Sequence, residues 1–302
     1  MRTTIRHGRA FTVALGIASA WAVVVCVTLD AQSPRERTMF VSAVDQKGEP
    51  VAGLGPNDFV IREDGAAREV LRVSRAIEPI DIAILVDDSA ASEGVIPRVR
   101  EGLTSFIRTM SQGNQIAIVG LADRPTILAS YTSNTKLLQD GIGLLWPRSR
   151  AGSTLLDAIY EVSRGLQKRD TPRAVIVPVI TDGGDFAYRQ YQQVMDEVKL
   201  AGAAIHAITV GDFGATDDEE LRNRARVLSE GTRTSGGQRV NLLTPMSVQQ
   251  TLERLGRELS SQYKVVYGRP DSLIPPEKIV VSARRPDLTM RGTLERGTGT
   301  TK

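Results

Sequence analysis

Carboxylate and hydroxyl side chains follow two apolar runs that lie far apart in the sequence. Asp87 and Ser89 come directly after the run 82–86, and Asp182 comes just after the run 175–180. Neither run alternates polar with apolar residues, which indicates buried strands of a parallel sheet covered by helices on both faces. Because ligands bind beyond the carboxyl ends of such strands, we expect these side chains to meet there.

Oxygen ligands of this kind suit a hard divalent cation. Mg²⁺ takes octahedral oxygen ligands and gives up its waters reluctantly. Ser153 adds a further hydroxyl just ahead of a predicted helix. An ion held by neutral hydroxyls and only one or two carboxylates stays positive, so it takes an acidic oxygen from a partner. The residues therefore predict a binding site for Mg²⁺, with Mn²⁺ or Ca²⁺ as substitutes, and not a catalytic site.

The three loops resemble the metal-ion-dependent adhesion site of von Willebrand factor type A domains, which uses an Asp-x-Ser-x-Ser loop, a distant Thr and a distant Asp. The resemblance covers residues 79–265 and implies an interaction module with a Rossmann-like α/β fold, a doubly wound and mostly parallel sheet flanked by helices. Ala91 stands where the family has its second serine, so the site is degenerate and we expect weak metal binding. The metal ligands that the resemblance implies are Asp87, Ser89, Ser153 and Asp182.

A simpler interpretation needs no metal. Asp often caps a helix after a strand-to-helix turn, and Asp87 and Asp182 could do only that. Asp88 is a spare carboxylate beside the site, but successive side chains of a strand point in opposite directions, so it should leave the strand away from Asp87. Both interpretations stay open at the level of the sequence.

The N-terminus has the pattern of an export leader over residues 1–31. Arg2, Arg6 and Arg9 precede the uncharged stretch 10–29, and cleavage is expected after the leader. The stretch is also long enough to span a bilayer as an uncleaved inner-membrane anchor. The single cysteine lies within it, so the remaining chain cannot form disulfides. These features predict a periplasmic or secreted bacterial protein.

The net charge of +3 arises mainly in this leader, where three arginines stand against one acidic residue. The rest of the chain is nearly neutral. It gives no reason to expect a nucleic-acid partner or an anionic membrane surface. Membrane contact is expected only through the leader, if it is not cleaved.

The remaining chain divides into three segments. Residues 38–76 contain short strand-like pieces and an Asp-Gly turn, which predict a hairpin. Residues 79–263 alternate strand and helix, as βαβ proteins do. Residues 264–296 return to strand patterning. The pattern of residues 45–65 resembles the N-terminal part of the VWFA-related proteins described from Acidobacteria, which implies that both ends of the chain join in one small β module.

The remaining candidates for chemistry are weak. His206 is the only histidine outside the leader, and it lies in a predicted strand with no second histidine or cysteine nearby in sequence, so we expect core packing and not zinc binding. A lone base does not favour nucleophilic hydrolysis, and no phosphate-loop lysine supports nucleotide chemistry. We expect a protein-binding module that is not an enzyme. The alternative is a metal-free structural subunit of an envelope complex.

Overall fold

The computed structural model describes Met1 and residues 35–213, 218–270, 274 and 276–295. Apart from Met1, the predicted leader lies outside the described residues, and so does the segment 297–302, which the sequence predicts to be disordered. Within the described part of the chain, no helix is both long and apolar enough to cross a membrane.

The strands of the described chain form three sheets. They are β1 (Arg35–Val44), β2 (Phe59–Glu63), β3 (Ala66–Arg68), β4 (Val70–Arg75), β5 (Ile80–Val86), β6 (Gln115–Gly120), β7 (Thr126–Thr132), β8 (Arg173–Thr181), β9 (Ala203–Val210), β10 (Gln238–Leu242), β11 (Tyr263–Arg269), β12 (Ile279–Ala283) and β13 (Thr289–Leu294).

Helices alternate with the central strands. They are α1 (Ile96–Met110), α2 (Thr135–Gly143), α3 (Leu155–Arg169), α4 (Tyr191–Ala201), α5 (Glu219–Arg226), α6 (Thr232–Thr234) and α7 (Val248–Ser260). A π-helical segment, Val227–Gly231, joins α5 to α6. Short 3-10 turns cover Pro56–Asp58, Ala90–Ser92 and Pro245–Ser247.

The main sheet has six strands in the order β10-β9-β8-β5-β6-β7. All neighbouring pairs are parallel except β6 and β7, which are antiparallel. Every residue of β5, β8 and β9 is buried, as continuous apolar runs in a covered sheet require. The predicted doubly wound, mostly parallel sheet is confirmed.

Helices cover both faces of this sheet because successive strand residues point to opposite sides. Ile82 and Ile84 of β5 pack in the core that contains the buried faces of α1 and α7. Ala83 and Leu85 pack on the other side, with α3 and α4. The sheet therefore holds the carboxyl ends of β5 and β8 next to each other between two helical layers.

Two smaller antiparallel sheets combine both ends of the described chain. One has the order β13-β1-β11-β4 and the other β12-β2-β3. β11 lies between β1 and β4, and Met39 of β1 is paired with Val265 on one side and Leu294 on the other. Side chains from both sheets share a third apolar core around Ile61 and Tyr267. The predicted extra β structure from the two chain ends is therefore present.

The apolar spacing in the sequence predicts a helix over residues 188–201, but α4 begins only at Tyr191. The carboxylate of Asp157 in α3 accepts hydrogen bonds from the backbone N–H groups of Tyr188 (3.1 Å) and Arg189 (3.0 Å). Gln190 is the N-cap, and α4 begins at Tyr191. A side chain from another helix thus binds the two residues that precede the N-cap of α4.

Candidate functional site

The four predicted ligands lie on loops that contact one another at the carboxyl edge of the main sheet. Asp87 and Ser89 follow β5, Asp182 follows β8, and Ser153 precedes α3. Asp87, Ser89 and Ser153 are at most 2% exposed, whereas Asp182 is exposed. The backbone N–H of Ser153 donates to the carbonyl of Gly184 at 3.1 Å, which ties the α3 loop to the β8 loop.

Asp87 joins the two strand ends directly. Its Oδ1 accepts from the N–H of Ser89 at 3.0 Å. Its Oδ2 accepts from both the N–H of Thr181 (3.0 Å) and the Thr181 hydroxyl (2.5 Å). Since each carboxylate oxygen has about two acceptor positions, Oδ2 is filled by protein donors and Oδ1 keeps one position.

The helix-capping interpretation does not describe these carboxylates. The N-cap of α1 is Val95, eight residues after Asp87, and the N-cap of α4 is Gln190. Asp182 instead accepts from the N–H of Asp212 at 2.9 Å, in the loop after β9. Both carboxylates connect loops from neighbouring strands, so their role in the fold is to fix the shape of this edge.

Asp88 points away from Asp87, as strand alternation predicts. Its Oδ1 accepts from the N–H groups of Leu121 and Ala122, each at 2.8 Å, and its Oδ2 is 3.4 Å from Nε of Arg148. A Cβ on Gly120 would lie 2.7 Å from Oδ2, so only glycine permits this approach. Asp88 therefore holds the end of β6 and is not part of the predicted ligand set.

The hydroxyl groups of the site differ in whether they already make a hydrogen bond within the protein. Thr154 donates its hydroxyl to the carbonyl of Leu121 at 2.8 Å. The neighbouring Ser153 Oγ is fully buried and has no hydrogen-bond partner among the described residues. Ser89 is the N-cap of the turn at residues 90–92, yet its hydroxyl makes no capping bond within the described chain. A buried hydroxyl without a partner is costly, so the orphaned Ser153 Oγ fits a ligand position.

Ala91 lies against the β8 loop. A Cβ built on Gly183 would be 2.5 Å from the Ala91 Cβ, so the methyl group packs directly over that glycine, next to Asp182. A serine at position 91 would therefore place its hydroxyl beside this loop. Position 91, where the family has a serine, therefore lies within the predicted site.

Two buried ionisable residues that the sequence did not single out lie at the same edge. Asp185 is 6% exposed, and its Oδ1 accepts from the N–H of Ala187 at 3.0 Å. Its Oδ2 is buried and has no hydrogen-bond partner in the part of the chain that the structure describes. Burial raises the pKa of Asp185 to about 7, although the charge of Arg224 acts to lower it.

Arg224 of α5 is 4% exposed and contacts the β8 loop. Its Nη1 donates to the carbonyl of Gly183 at 2.6 Å, and its guanidinium lies 5.2 Å from the ring centre of Phe213. Burial lowers the pKa of Arg224, while the charges of Asp185 and Asp87 oppose that shift. No local pattern marks this arginine, because only the packing of α5 brings it here.

The donor set fits a divalent ion only in part. Among residues 35–213, 218–270 and 276–295, no group of three or more His, Cys, Asp or Glu side chains is arranged to hold a metal. The predicted set offers two carboxylates, each already accepting hydrogen bonds, and two hydroxyls. Such a set suits Mg²⁺ in kind, but it supplies little charge and few free positions.

Exposed aromatic side chains lie next to these loops. Phe186 is 65% exposed and covers Gly152, where a Cβ would come within 1.6 Å of its ring. Tyr188 is 92% exposed. It lines two surface grooves, the larger of about 350 Å³, which also includes Asp157 and Glu161. We call the loops that carry the four predicted ligands, together with Phe186 and Tyr188, the rim.

Residues 82–184 match the family model of the von Willebrand factor type A domain. No curated protein matches the chain. Similar solved structures include BatB, a conserved hypothetical protein from Bacteroides thetaiotaomicron, with 14% identity, a TM-score of 0.45, and coverage of 60% of this chain and 100% of that one.

A von Willebrand factor type A protein from Catenulispora acidiphila has 11% identity and a TM-score of 0.48, and covers 87% of this chain and 74% of its own. The corresponding domain of the type V pili tip protein Mfa5 from Porphyromonas gingivalis has 12% identity and a TM-score of 0.46. The match covers 61% of this chain and 96% of that one. All three scores are below 0.5, so no role of these proteins transfers to this chain.

Proposed function

We propose that the von Willebrand factor type A domain of this chain is an exported protein-interaction module that contacts its partner through the rim. The observation that carries the proposal is the orphaned hydroxyl of Ser153, buried beside the loops that Asp87 joins. A buried polar group without a protein partner needs another one, which a bound ion or an ordered water can supply.

Mg²⁺ is the proposed occupant, held by Asp87, Ser89, Ser153 and Asp182. With two carboxylates and without the hydroxyl lost at Ala91, we expect a Kd on the order of 0.1–1 mM. The ion would keep a net positive charge and open positions. An acidic or amide oxygen from a protein partner would fill them.

The exposed aromatic residues of the rim support a protein as the partner. Aromatic side chains are enriched at the centres of protein interfaces and supply much of the binding energy there. Tyr188 is well suited to this role, because Asp157 fixes the backbone of the segment that carries it. Little conformational entropy is then lost when Tyr188 is covered by a partner.

We propose that this site binds a partner and does not use the histidine as a catalytic base. A general base has to lie within hydrogen-bond reach of the group that reacts. His206 is 1% exposed in the middle of β9, and burial lowers its pKa to about 4. It therefore packs in the core, as the sequence predicts, and does not serve the rim.

Export remains a proposal that rests on the leader sequence. Fractionation of a producing cell should place the protein outside the cytoplasm, in the periplasm or the medium, with a new N-terminus near Gln32 by mass spectrometry. An intact Met1 in the membrane fraction would make the stretch 10–29 an inner-membrane anchor. The kinship with acidobacterial proteins likewise stays a prediction from the sequence.

The second candidate function is a metal-free structural subunit of an envelope complex. It is favoured by the Asp87 carboxylate, whose Oδ2 already accepts two hydrogen bonds from Thr181. In that case the two carboxylates only stabilise the loops, and the rim contacts its partner without a bound ion.

The test is a comparison of partners captured from envelope extract by the wild type and by an Asp87→Ala/Asp182→Ala double variant. Circular dichroism and a melting curve must first show that the variant is folded. Asp140→Asn, on the exposed side of α2, is the control. We expect the double variant to lose at least one partner that the control retains. Identical partner sets would place the contact elsewhere and favour the structural subunit.

A further inference from the structure

Arg224 places a positive charge against the loop that carries the predicted ligand Asp182. It is 4% exposed, and it donates to the carbonyl of Gly183, the residue after the predicted ligand Asp182. The methyl group of Ala91 packs against the Cα of the same glycine, where a Cβ built on Gly183 would lie 2.5 Å from it. The guanidinium therefore contacts the same short loop that a hydroxyl at position 91 would contact.

The charges around this guanidinium are those of the rim. The carboxylates that act on it are, in order of strength, Asp185, Asp87, Asp182 and Asp218. A buried arginine is costly to place in a protein core unless acidic groups and hydrogen-bond acceptors compensate its charge. Two of the proposed metal ligands thus already contribute to the stabilisation of a cation that belongs to the protein.

We propose that Arg224 is a built-in cation of the rim, which takes over part of the electrostatic role of a divalent ion and weakens divalent binding. The proposal rests on the proposed function, because it concerns the same loops. A fixed positive charge against the loop that carries Asp182 repels a second cation, and in a partly desolvated setting that repulsion is only weakly screened. It also keeps the rim attractive to an acidic partner when no metal is bound.

Arg239 offers a matched control. Its guanidinium lies at the same 5.2 Å from the ring centre of Phe213, on the neighbouring strand β10. Among the described residues, the charge that shifts the pKa of Arg239 is that of Arg224, which lowers it, and no carboxylate of that part of the chain contributes. Removing Arg239 therefore disturbs the same aromatic contact without removing a counter-charge of Asp87 or Asp182.

The experiment is calorimetric titration of the full chain with Mg²⁺ and with Mn²⁺, for the wild type and for Arg224→Met, Arg224→Lys and Arg239→Met. We expect Arg224→Met to bind the ion roughly tenfold or more tightly than the wild type, since it removes the charge and keeps an unbranched side chain. Arg224→Lys, which keeps the charge, and Arg239→Met should have the affinity of the wild type.

Loss of Arg224 leaves buried carboxylates without their counter-charge, so the variant needs a measurement that tolerates low stability. The melting temperature at increasing Mg²⁺ provides it, because an ion that binds only the folded state raises that temperature. We expect a larger rise for Arg224→Met than for the wild type. Arg224→Gln, a second neutral variant, should behave in the same way.

Equal affinities for the wild type and both neutral variants would overturn the role of Arg224 and leave the metal site standing. If neither Mg²⁺ nor Mn²⁺, up to 20 mM, gives heat or shifts the melting temperature of any of these proteins, both this inference and the metal site are overturned. The partner contact would still be decided separately by the capture experiment.

Discussion

Replacing Asp185 by Asn should remove a source of pH dependence from the stability of this protein. Burial raises the pKa of Asp185 from 3.8 to about 7. Between those two values the folded state holds a proton that the unfolded chain has released. Stability from this group is therefore fully present below about pH 4, and it is lost as the pH rises through 7.

The size of the effect follows from the two pKa values. Each unit of difference corresponds to about 1.4 kcal/mol. Between pH 4.5 and pH 8.5, this group should lower the free energy of unfolding of the wild type by about 3 kcal/mol. Asp185→Asn cannot ionise and lacks that loss. Any constant cost of the amide in the buried site cancels when the two pH values are compared.

Urea unfolding at both pH values, with EDTA in the buffer to exclude divalent ions, measures this difference. The variant should gain about 3 kcal/mol relative to the wild type on going from pH 4.5 to pH 8.5. The exposed Asp140→Asn should follow the wild type at both values. A constant difference between Asp185→Asn and the wild type would refute the reasoning, because it would mean that Asp185 is ionised in the fold like an ordinary carboxylate.

Three further predictions concern the core, the rim and the β sheets. Burial lowers the pKa of His206 from 6.5 to about 4, so protonation of this residue favours the unfolded chain. His206→Gln should therefore reduce, by about 3 kcal/mol, the stability that the protein loses between pH 6.5 and pH 4. Urea unfolding at these two pH values tests this, and an equal loss in variant and wild type would contradict it. Ala91→Ser should tighten Mg²⁺ binding in calorimetry, because it restores a hydroxyl over Gly183; equal affinities would show that this hydroxyl is not what limits binding. Truncation after Tyr263 should lower the melting temperature of the whole protein, since it removes the strand between β1 and β4; an unchanged melting temperature would make the tail an appendage.

The sequence was most informative where a local pattern determines the structure. The apolar runs before Asp87 and Asp182 predicted buried neighbouring strands, and the sheet order places β5 next to β8. Strand alternation predicted that Asp88 would point away from Asp87, and hydrogen bonds to Leu121 and Ala122 confirm it. These predictions succeed because the geometry of a strand is set by its own residues.

Long-range contacts account for what the sequence did not reveal. Arg224 reaches Gly183 across 41 positions of the chain, and nothing near Arg224 in sequence marks it as a site residue. The delayed start of α4 has the same origin, because Asp157 captures the N–H groups of Tyr188 and Arg189 from another helix. Asp185 was within reach, since it closes the run Thr-Asp-Gly-Gly-Asp, but its burial depends on the fold around it.

The most direct test of the account is photo-crosslinking in a producing cell, because it reports which surface contacts a partner. A photoreactive amino acid would be placed at Ala90, exposed at the rim, and in a second protein at Gln112, exposed in the loop that leads into the opposite end of β6. The account predicts a defined protein adduct from position 90 that is absent from position 112 and is lost when Asp87→Ala and Asp182→Ala are introduced. Adducts from position 112 alone, or adducts from position 90 that persist in the double variant, would contradict it.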